Sequence, residues 1–569
     1  MGLSCARRRG WKTVCCVALL VSAATASVSA DRPRGTELAI ALSSSAVEQR
    51  EWALDRLIEA PDPDPATLRR IAALLDDRDL YVAGKAVTAL SRLGTAAFDT
   101  IDQVLERGTL QQRWAATVAL YQTTAVTDRF LPQLTQQLTQ NDERLVYASL
   151  AALTRLQSRA VPALPALQAL LQHEERAVRR ATLETLAAMG PAARGAVPAI
   201  TPLLQDAQVD VRLAAAAAIR SIVPPAPITS ERLAAYQAWL QENVPALMRE
   251  HHVPGASIAI IQHGRVHWAQ GYGVSDARQR QPVTTDTIFE ACSMSKPILA
   301  LSVLQLVQQG RLDLDAPLTH YLGRDYLRDQ PAQDLITARM ALTHRTGLPN
   351  WRGGYDEMGG PLPLLFTPGS DYSYSGEGML FLQRALEAVT DTTLDRFAQQ
   401  GLFAPLGLTH TSYVWTPAIE LDLASGHGED GSFKDRTRYR KANGAYSLYT
   451  TPTEYAELML TLMRPETLGP AAFTPASVEL LLQRAPRVDD GDAIARPGLA
   501  RSVATYRTLG WSVDVSAEGD IVEHTGSNSS GFRTFGQFNR GKGSGLVIFT
   551  NGDNGSRVRT AILAQIGDL

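Results

Sequence analysis

Three short stretches of the sequence carry side chains that could act together in acyl transfer. Ser293 and Lys296 stand three residues apart at the start of an apolar segment, so one helical turn would place both on the same face. A serine needs a neighbouring base to act as a nucleophile, and a lysine in a dry pocket can lose its proton and serve as that base. Of the six lysines, Lys296 alone has a serine three residues before it. Ser295 is adjacent to Lys296 and is expected to point elsewhere.

The other two stretches lie in a turn-rich loop and late in a predicted strand. Tyr374, between Tyr372 and Gly376, could relay a proton if its hydroxyl lies near a lysine, although an ordinary surface aromatic is the alternative. The run His524-Thr525-Gly526-Ser527 could place backbone groups against a ligand, because glycine permits close approach. A tight turn between two strands is the alternative there. His344 is interpreted as a structural loop residue rather than a catalytic one.

The surrounding elements of residues 231–569 predict an α+β domain. An amphipathic helix over 231–250 precedes two apolar runs that flank His263-Gly264, which is typical of a β-hairpin. Strands at both ends of this region enclose a helical middle, which indicates an antiparallel sheet flanked by helices. The later strands and the closing helix are predicted at Thr508–Asp514, Ile521–Thr525, Phe532–Phe538, Leu546–Thr550 and Arg557–Ile566.

The region from 31 to 223 is predicted to be an all-α solenoid. A small residue followed by an aliphatic one recurs, and the aliphatic members are spaced 30, 33, 33 and 33 residues apart. A fixed period of this length is typical of helical pairs that bury their apolar faces by stacking on neighbours; a non-repetitive helical bundle is the alternative. The Pro-rich stretch 224–230 is predicted to be a linker between the two domains. The recurring aliphatic residues are Leu90, Leu120, Leu153, Leu186 and Ile219.

The first 30 residues predict export. Four positive charges precede an apolar core that is too short to span a bilayer, and small residues precede Asp31. We therefore expect a cleaved signal peptide, a periplasmic or extracellular protein and no transmembrane span in the mature chain. An uncleaved anchor and a twin-arginine signal are the alternatives. The formal net charge of −3 and the lack of a basic block downstream argue against a nucleic-acid partner.

In their order, the Ser-x-x-Lys, Tyr-Ser and His-Thr-Gly motifs resemble the serine β-lactamase and penicillin-binding family. The nearest branch holds class C β-lactamases, esterases and D-amino-acid peptidases, and the resemblance covers about residues 230–567. The stretch Leu342–Pro349 also matches this family. The repeats before it resemble HEAT repeats.

The resemblance implies a role for each motif residue. Ser293 would be the nucleophile that forms an acyl-enzyme, while Lys296 and Tyr374 would share general base and acid work. The backbone N–H groups of Ser293 and Ser527 would form the oxyanion hole. The expected substrate-binding residues are His524, Thr525, Gly526, Ser527 and Gly376, and no metal or cofactor is expected.

Two departures from the family pattern bear on the substrate. Gly376 replaces an Asn that supports the lysine and binds a substrate amide carbonyl, and His524 replaces a cationic Lys. Histidine is mostly neutral above pH 7, so a substrate carboxylate would be attracted less. An ester or D-amino-acid peptide is therefore expected ahead of a β-lactam. The alternative is a catalytically silent binding or scaffold module, with a protein partner on the solenoid in either case.

Overall fold

The computed structural model describes residues 35–59, 63–123, 128–323, 326–327, 330–352, 362–465, 472–485, 502–567 and 569. The predicted signal peptide lies outside these residues. The chain divides into two compact units, residues 1–126 and 127–569. The second unit contains the sheet together with the last six helices of the repeat region.

The repeat region is helical throughout its described length. One recurring aliphatic residue falls in each even-numbered helix from α4 to α12, which confirms the periodicity, and Leu57 occupies the matching place in α2. The side chains of Leu90, Leu153 and Leu186 are fully buried, as stacked helical pairs require. The helices are α1 (Gly35–Leu42), α2 (Val47–Glu59), α3 (Pro65–Ala73), α4 (Leu80–Leu93), α5 (Phe98–Arg107), α6 (Leu110–Gln122), α7 (Leu131–Gln137), α8 (Glu143–Leu156), α9 (Leu164–Leu170), α10 (Arg176–Met189), α11 (Val197–Ile200) and α12 (Val209–Ile222).

The sheet of the second unit has eight antiparallel strands in the order β3-β2-β1-β10-β9-β8-β7-β6. Its first hairpin turns at His263-Gly264, where both residues have positive φ, as a tight two-residue turn requires. A separate ladder pairs β4 with β5. The strands are β1 (Gly255–Gln262), β2 (Arg265–Asp276), β3 (Gln281–Pro282), β4 (Phe289–Glu290), β5 (Tyr449–Thr450), β6 (Ser502–Arg507), β7 (Ser512–Ser516), β8 (Gly519–Ser527), β9 (Arg533–Asn539) and β10 (Ser544–Thr550).

Helices cover both faces of this sheet. One apolar cluster joins the sheet to α13 and α22, and a larger one joins its other face to α14, α17 and α20. The predicted α+β architecture with a flanked antiparallel sheet is confirmed. The remaining helices are α13 (Ser230–Glu250), α14 (Ser295–Gln308), α15 (Thr319–Leu322), α16 (Ala338–Leu342), α17 (Gly376–Thr390), α18 (Leu394–Ala398), α19 (Pro417–Asp422), α20 (Pro452–Met463), α21 (Pro475–Leu482) and α22 (Gly555–Ile566).

The strand predicted over Thr508–Asp514 was wrong in its bounds. Residues before Ser512 form a turn in which Gly510 has φ +79°, and a further strand, β6, precedes it. A Cβ on Gly510 would lie 2.6 Å from the Cβ of Ala300, so this turn packs tightly against α14. Local apolar character suggested a strand, but contact with the distant helix requires a turn with glycine.

Helix α12 packs directly on the outer strands of the sheet. Ala216 is buried in one small cluster with Val503 of β6 and Val515 of β7. Arg220 donates to the carboxylate of Asp520 at 2.7 Å. The Pro-rich stretch that follows α12 is also held, because the Ile228 carbonyl accepts a 2.9 Å bond from the Gln262 amide. The predicted linker is therefore packed against the sheet unit along part of its length.

Candidate active site

The predicted pair lies at the entrance of α14. Ser293 is in a single 3₁₀ turn, Cys292–Met294, that leads into the helix, and Lys296 lies one turn further on. The Nζ of Lys296 is 3.2 Å from the Oγ of Ser293 and 2.8 Å from the carbonyl oxygen of Ala445. The lysine is only 1% exposed, whereas the serine is half-buried. A buried amine in contact with a more accessible hydroxyl is the arrangement that serine activation needs.

The backbone just before Ser293 is strained. Cys292 has φ +56°, a left-handed conformation that costs energy for a residue other than glycine. Its thiol is fully buried, and burial raises the pKa of the Cys292 thiol, so it remains a packed, protonated group. Strand β8 passes close to this turn, because a Cβ on Gly526 would lie 2.5 Å from the Ala291 carbonyl oxygen. Gly526 therefore lets the strand reach the nucleophile turn.

Tyr374 is brought to the same place from the loop before α17. The Nζ of Lys296 lies 4.7 Å from the centre of its ring. The next residue, Ser375, caps α17 by accepting a 2.8 Å bond from the Gly378 N–H, which fixes where the loop ends. Ser293, Lys296 and Tyr374, separated by up to 81 residues in sequence, thus meet at one point.

His344, interpreted from the sequence as a structural loop residue, lies in a turn beside this cluster. Its ring centre lies 4.4 Å from that of Tyr374, and its Nδ1 accepts a 3.1 Å bond from the Ser375 N–H. Burial, followed by the positive charges of Arg507 and Lys296, holds the pKa of His344 well below its usual range. A neutral imidazole with an unprotonated Nδ1 accepts the backbone bond, so His344 positions the tyrosine loop. The sequence signal that His344 lies near the site was its position in Leu342–Pro349, a stretch that matches the family.

Strand β8 supplies the third motif. From Thr525 to Ser527 its ladder runs along β9, while β7 pairs only as far as Glu523 in the part of the chain described. The side chains of Thr525 and Ser527 are exposed at this edge. The side chain of His524 lies on the other face of the strand, where it is buried close enough to His344 for its charge to lower the pKa of that imidazole, and its Nδ1 is 2.7 Å from the Thr525 carbonyl oxygen. The strand edge beside the nucleophile is therefore open to a ligand at Thr525–Ser527.

The indole of Trp351 lies against Gly376, a contact that no local sequence pattern indicated. A Cβ at this position would lie 2.4 Å from the Cη2 atom of Trp351, so the indole occupies the space that any side chain would need. The Gly376 N–H is bound by the Oδ1 of Asn350 at 2.9 Å. The indole ring meets the ring of Tyr446 edge to face, with centres 5.4 Å apart. The indole therefore lies where the resemblance to the family would place the side chain of an asparagine.

Comparison with known proteins places this site in a family. The family model for β-lactamase matches residues 240–568, which is more than half of the chain. The chain belongs to the β-lactamase family. The model for HEAT repeats matches residues 131–220, in agreement with the periodicity of that region.

Several known proteins are similar to this chain. Esterase EstB of Burkholderia gladioli is 32% identical over 279 residues, which cover 40% of this chain and 71% of the esterase. Penicillin-binding protein 4 of Amycolatopsis lactamdurans is 31% identical over 207 residues, covering 34% of this chain and 54% of that protein. A class C β-lactamase mutant matches in fold with a TM-score of 0.51 at 18% identity, covering 60% of this chain and 100% of the other.

No group of three His, Cys, Asp or Glu side chains in the described ranges is arranged to hold a metal ion. None of the helices within those ranges is both long enough and apolar enough to cross a membrane.

Proposed function

We propose that this β-lactamase-family protein is a serine acyl hydrolase that forms a covalent acyl-enzyme on Ser293. The observation that carries the proposal is the 3.2 Å contact between the Lys296 amine and the Ser293 hydroxyl. Only one other serine lies in the same helical turn, and Ser295 is fully buried with its hydroxyl bonded to the Cys292 carbonyl at 2.6 Å. Ser295 is therefore a structural group.

The reaction follows from this geometry in two steps. The Oγ of Ser293 attacks the substrate carbonyl while its proton passes to the Lys296 amine or the Tyr374 phenolate. The N–H groups of Ser293 and Ser527 stabilise the negative oxygen of the tetrahedral intermediate. Collapse breaks the bond to the leaving group, which takes the proton. Water then attacks the acyl-enzyme and gives a proton to the same base, which passes a proton to the Oγ of Ser293 as the acyl bond breaks and the acid is released.

An ester or a D-amino-acid peptide is proposed as the substrate class ahead of a β-lactam. The Asn that would bind a substrate amide carbonyl is absent at Gly376, and the place of its side chain is filled by Trp351. His524 stands where a fixed cation would attract a β-lactam carboxylate. The 32% identity with an esterase supports an ester ahead of a β-lactam as the substrate.

Phosphonylation by a fluorophosphonate probe, in which the serine oxygen displaces fluoride from phosphorus, tests the proposal. We expect one adduct, mapped by mass spectrometry to Ser293, and hydrolysis of p-nitrophenyl acetate that Ser293→Ala abolishes. Ser295→Ala is the matched control and should still be labelled, although loss of its buried bond should cost about 1–3 kcal/mol of stability. A folded protein that takes up no probe would support the catalytically silent binding module instead.

We also propose that the protein is exported and that its repeats bind a protein partner. The predicted signal peptide supports a periplasmic or extracellular location. The HEAT-like repeats support a protein partner, because stacked helical pairs present extended surfaces. Protease protection of the protein in intact cells tests the location, and cross-linking of chains with and without residues 31–126 tests the role of the first repeats.

A further inference from the structure

We infer that Gln383 is a positioning residue for the reaction, because it holds in place the main-chain carbonyl that binds the Lys296 amine beside Ser293. The inference rests on the proposed serine hydrolase function, since it concerns the base of the same site. Gln383 belongs to none of the sequence motifs, and it lies about two turns into α17, seven residues after Gly376.

Two hydrogen bonds hold the Lys296 amine within the described ranges. Its Nζ is 3.2 Å from the Oγ of Ser293 and donates to the carbonyl oxygen of Ala445 at 2.8 Å. Ser293 loses its proton in the proposed reaction, so the bond to the carbonyl is the one that can persist throughout. The resemblance to the family would place a supporting asparagine at position 376, where this chain has glycine. The support of the lysine therefore depends on where the Ala445 carbonyl lies.

The main chain before this carbonyl is bound by the side chain of Gln383. The Oε1 of Gln383 accepts a 2.8 Å bond from the Gly444 N–H, and its Nε2 donates to the Ala442 carbonyl oxygen at 2.9 Å. Asn443, between them, accepts a 2.9 Å bond from the Ala445 N–H through its Oδ1. The side chain of Gln383 is fully buried, so water cannot readily replace its two loop bonds.

The same loop segment lies between the helices that carry the proposed acid–base groups. Helix α17, which contains Gln383, begins two residues after Tyr374. On the other side, a Cβ on Gly444 would lie 2.8 Å from the Cδ2 of Leu299, which follows Lys296 by three residues on α14. Gln383 thus ties the loop to α17 while the loop packs on α14. Without its two bonds, the segment can shift and move the acceptor away from the amine.

Substitution Gln383→Met tests this role, because methionine keeps the length of the side chain and removes both loop bonds. We expect kcat for p-nitrophenyl acetate to fall about 100-fold, the effect of misplacing a reacting group by about 1 Å. KM should stay within about twofold of wild type, since the lost interaction does not bind the substrate. The rate at which the fluorophosphonate probe phosphonylates Ser293 should fall together with kcat.

The matched control is Gln537→Met. Gln537 is also fully buried, and its amide donates to the carbonyl oxygens of Gly567 and Leu569 at 3.1 and 2.8 Å. This variant should have a lower melting temperature, as Gln383→Met should, but an unchanged kcat. An equal loss of kcat in the control would overturn the positioning role. So would a folded Gln383→Met protein with the wild-type kcat, or a loss confined to KM.

A second pair of variants decides the question if Gln383→Met does not fold. Asn443→Asp keeps an acceptor for the Ala445 N–H, whereas Asn443→Ala removes it. We expect kcat to fall roughly tenfold or more in the alanine variant and to stay near the wild-type value in the aspartate variant. Equal kcat in the two would overturn the inference. A wild-type protein that does not react with fluorophosphonate would instead overturn the hydrolase function itself, so the two failures are distinguishable.

Discussion

The side-chain amide of Asn528 donates a 2.8 Å hydrogen bond to the carboxylate of Glu290. Glu290 lies three residues before the nucleophile, and Asn528 follows directly after the end of β8. The bond therefore ties the strand that leads into the nucleophile turn to the strand end that carries Ser527. Ser530 and Tyr439 donate to the same carboxylate oxygen, at 2.7 and 2.9 Å. Glu290 fixes the distance between the two proposed oxyanion donors.

Substitution Glu290→Gln should change how stability depends on pH. Burial raises the pKa of Glu290, only partly opposed by its bonds to Asn528 and Ser530. A carboxyl group with a raised folded-state pKa contributes stability below its unfolded pKa of about 4.3, and this contribution is lost as pH rises through the folded pKa. Glutamine cannot ionise. We therefore expect the melting temperature of the variant, relative to wild type, to increase from pH 5 to pH 8.

Calorimetry of both proteins at pH 5, 6, 7 and 8 measures this difference. Glu479→Gln is a suitable control, because Glu479 is a surface carboxylate paired with Arg540. A difference between Glu290→Gln and wild type that stays constant across this range would contradict the raised pKa.

Substitution His344→Asn should make the melting temperature less sensitive to acid and should lower kcat. The pKa of His344 is lowered by burial, so its contribution is present above its unfolded pKa of about 6.5 and is lost as pH falls. The wild-type melting temperature should therefore fall more than that of the variant between pH 7 and pH 5. Loss of the ring that packs on Tyr374 should reduce kcat roughly 100-fold, the scale on which a misplacement of about 1 Å slows a reaction.

The two readouts for His344 are independent. His173→Asn, in the helical repeats, is the control for both. A kcat that stays at the wild-type value would show that Tyr374 does not depend on His344 for its position, whereas equal acid sensitivity in variant and wild type would contradict the lowered pKa.

Substitution His524→Lys should favour anionic substrates. A lysine there would supply a fixed charge, and a partly desolvated ion pair is worth about 1–2 kcal/mol, so KM for a carboxylate-bearing ester should fall roughly tenfold. A neutral ester with the same leaving group should change little. His524→Gln is the uncharged control. Equal changes in KM for the two esters would show that His524 does not face the position of a substrate carboxylate.

The effect of removing the repeats should depend on the residue at which the shortened chain begins. A chain beginning at Thr127 keeps the whole second unit and should fold and hydrolyse a small ester at the wild-type rate. A chain beginning at Ile228 lacks α12, so Val503 and Val515 lose their cover and Asp520 loses Arg220. We expect it to be less stable by roughly 2–4 kcal/mol. Thermal unfolding and turnover of p-nitrophenyl acetate are measured for both shortened chains. Equal melting temperatures would show that α12 does not stabilise the sheet unit.

The sequence by itself determined the features that depend on neighbours a few residues apart. Ser293 and Lys296 share a face because a helix turns every 3.6 residues, and this spacing survives whatever packs around it. The hairpin at His263-Gly264 and the repeated helices follow from local periodicity in the same way. The loop position of Tyr374 and the strand position of His524 were also predicted correctly.

Tertiary structure alone decided which distant groups complete the site. The carbonyl bound to Lys296 comes from Ala445, 149 residues away, and Glu290 meets Asn528 across 238 residues. No local pattern distinguishes those partners from other residues of the same type. Trp351 illustrates the physical reason: its place against Gly376 depends on the path of two separate loops, and only the folded chain brings a large ring to a position that lacks a side chain.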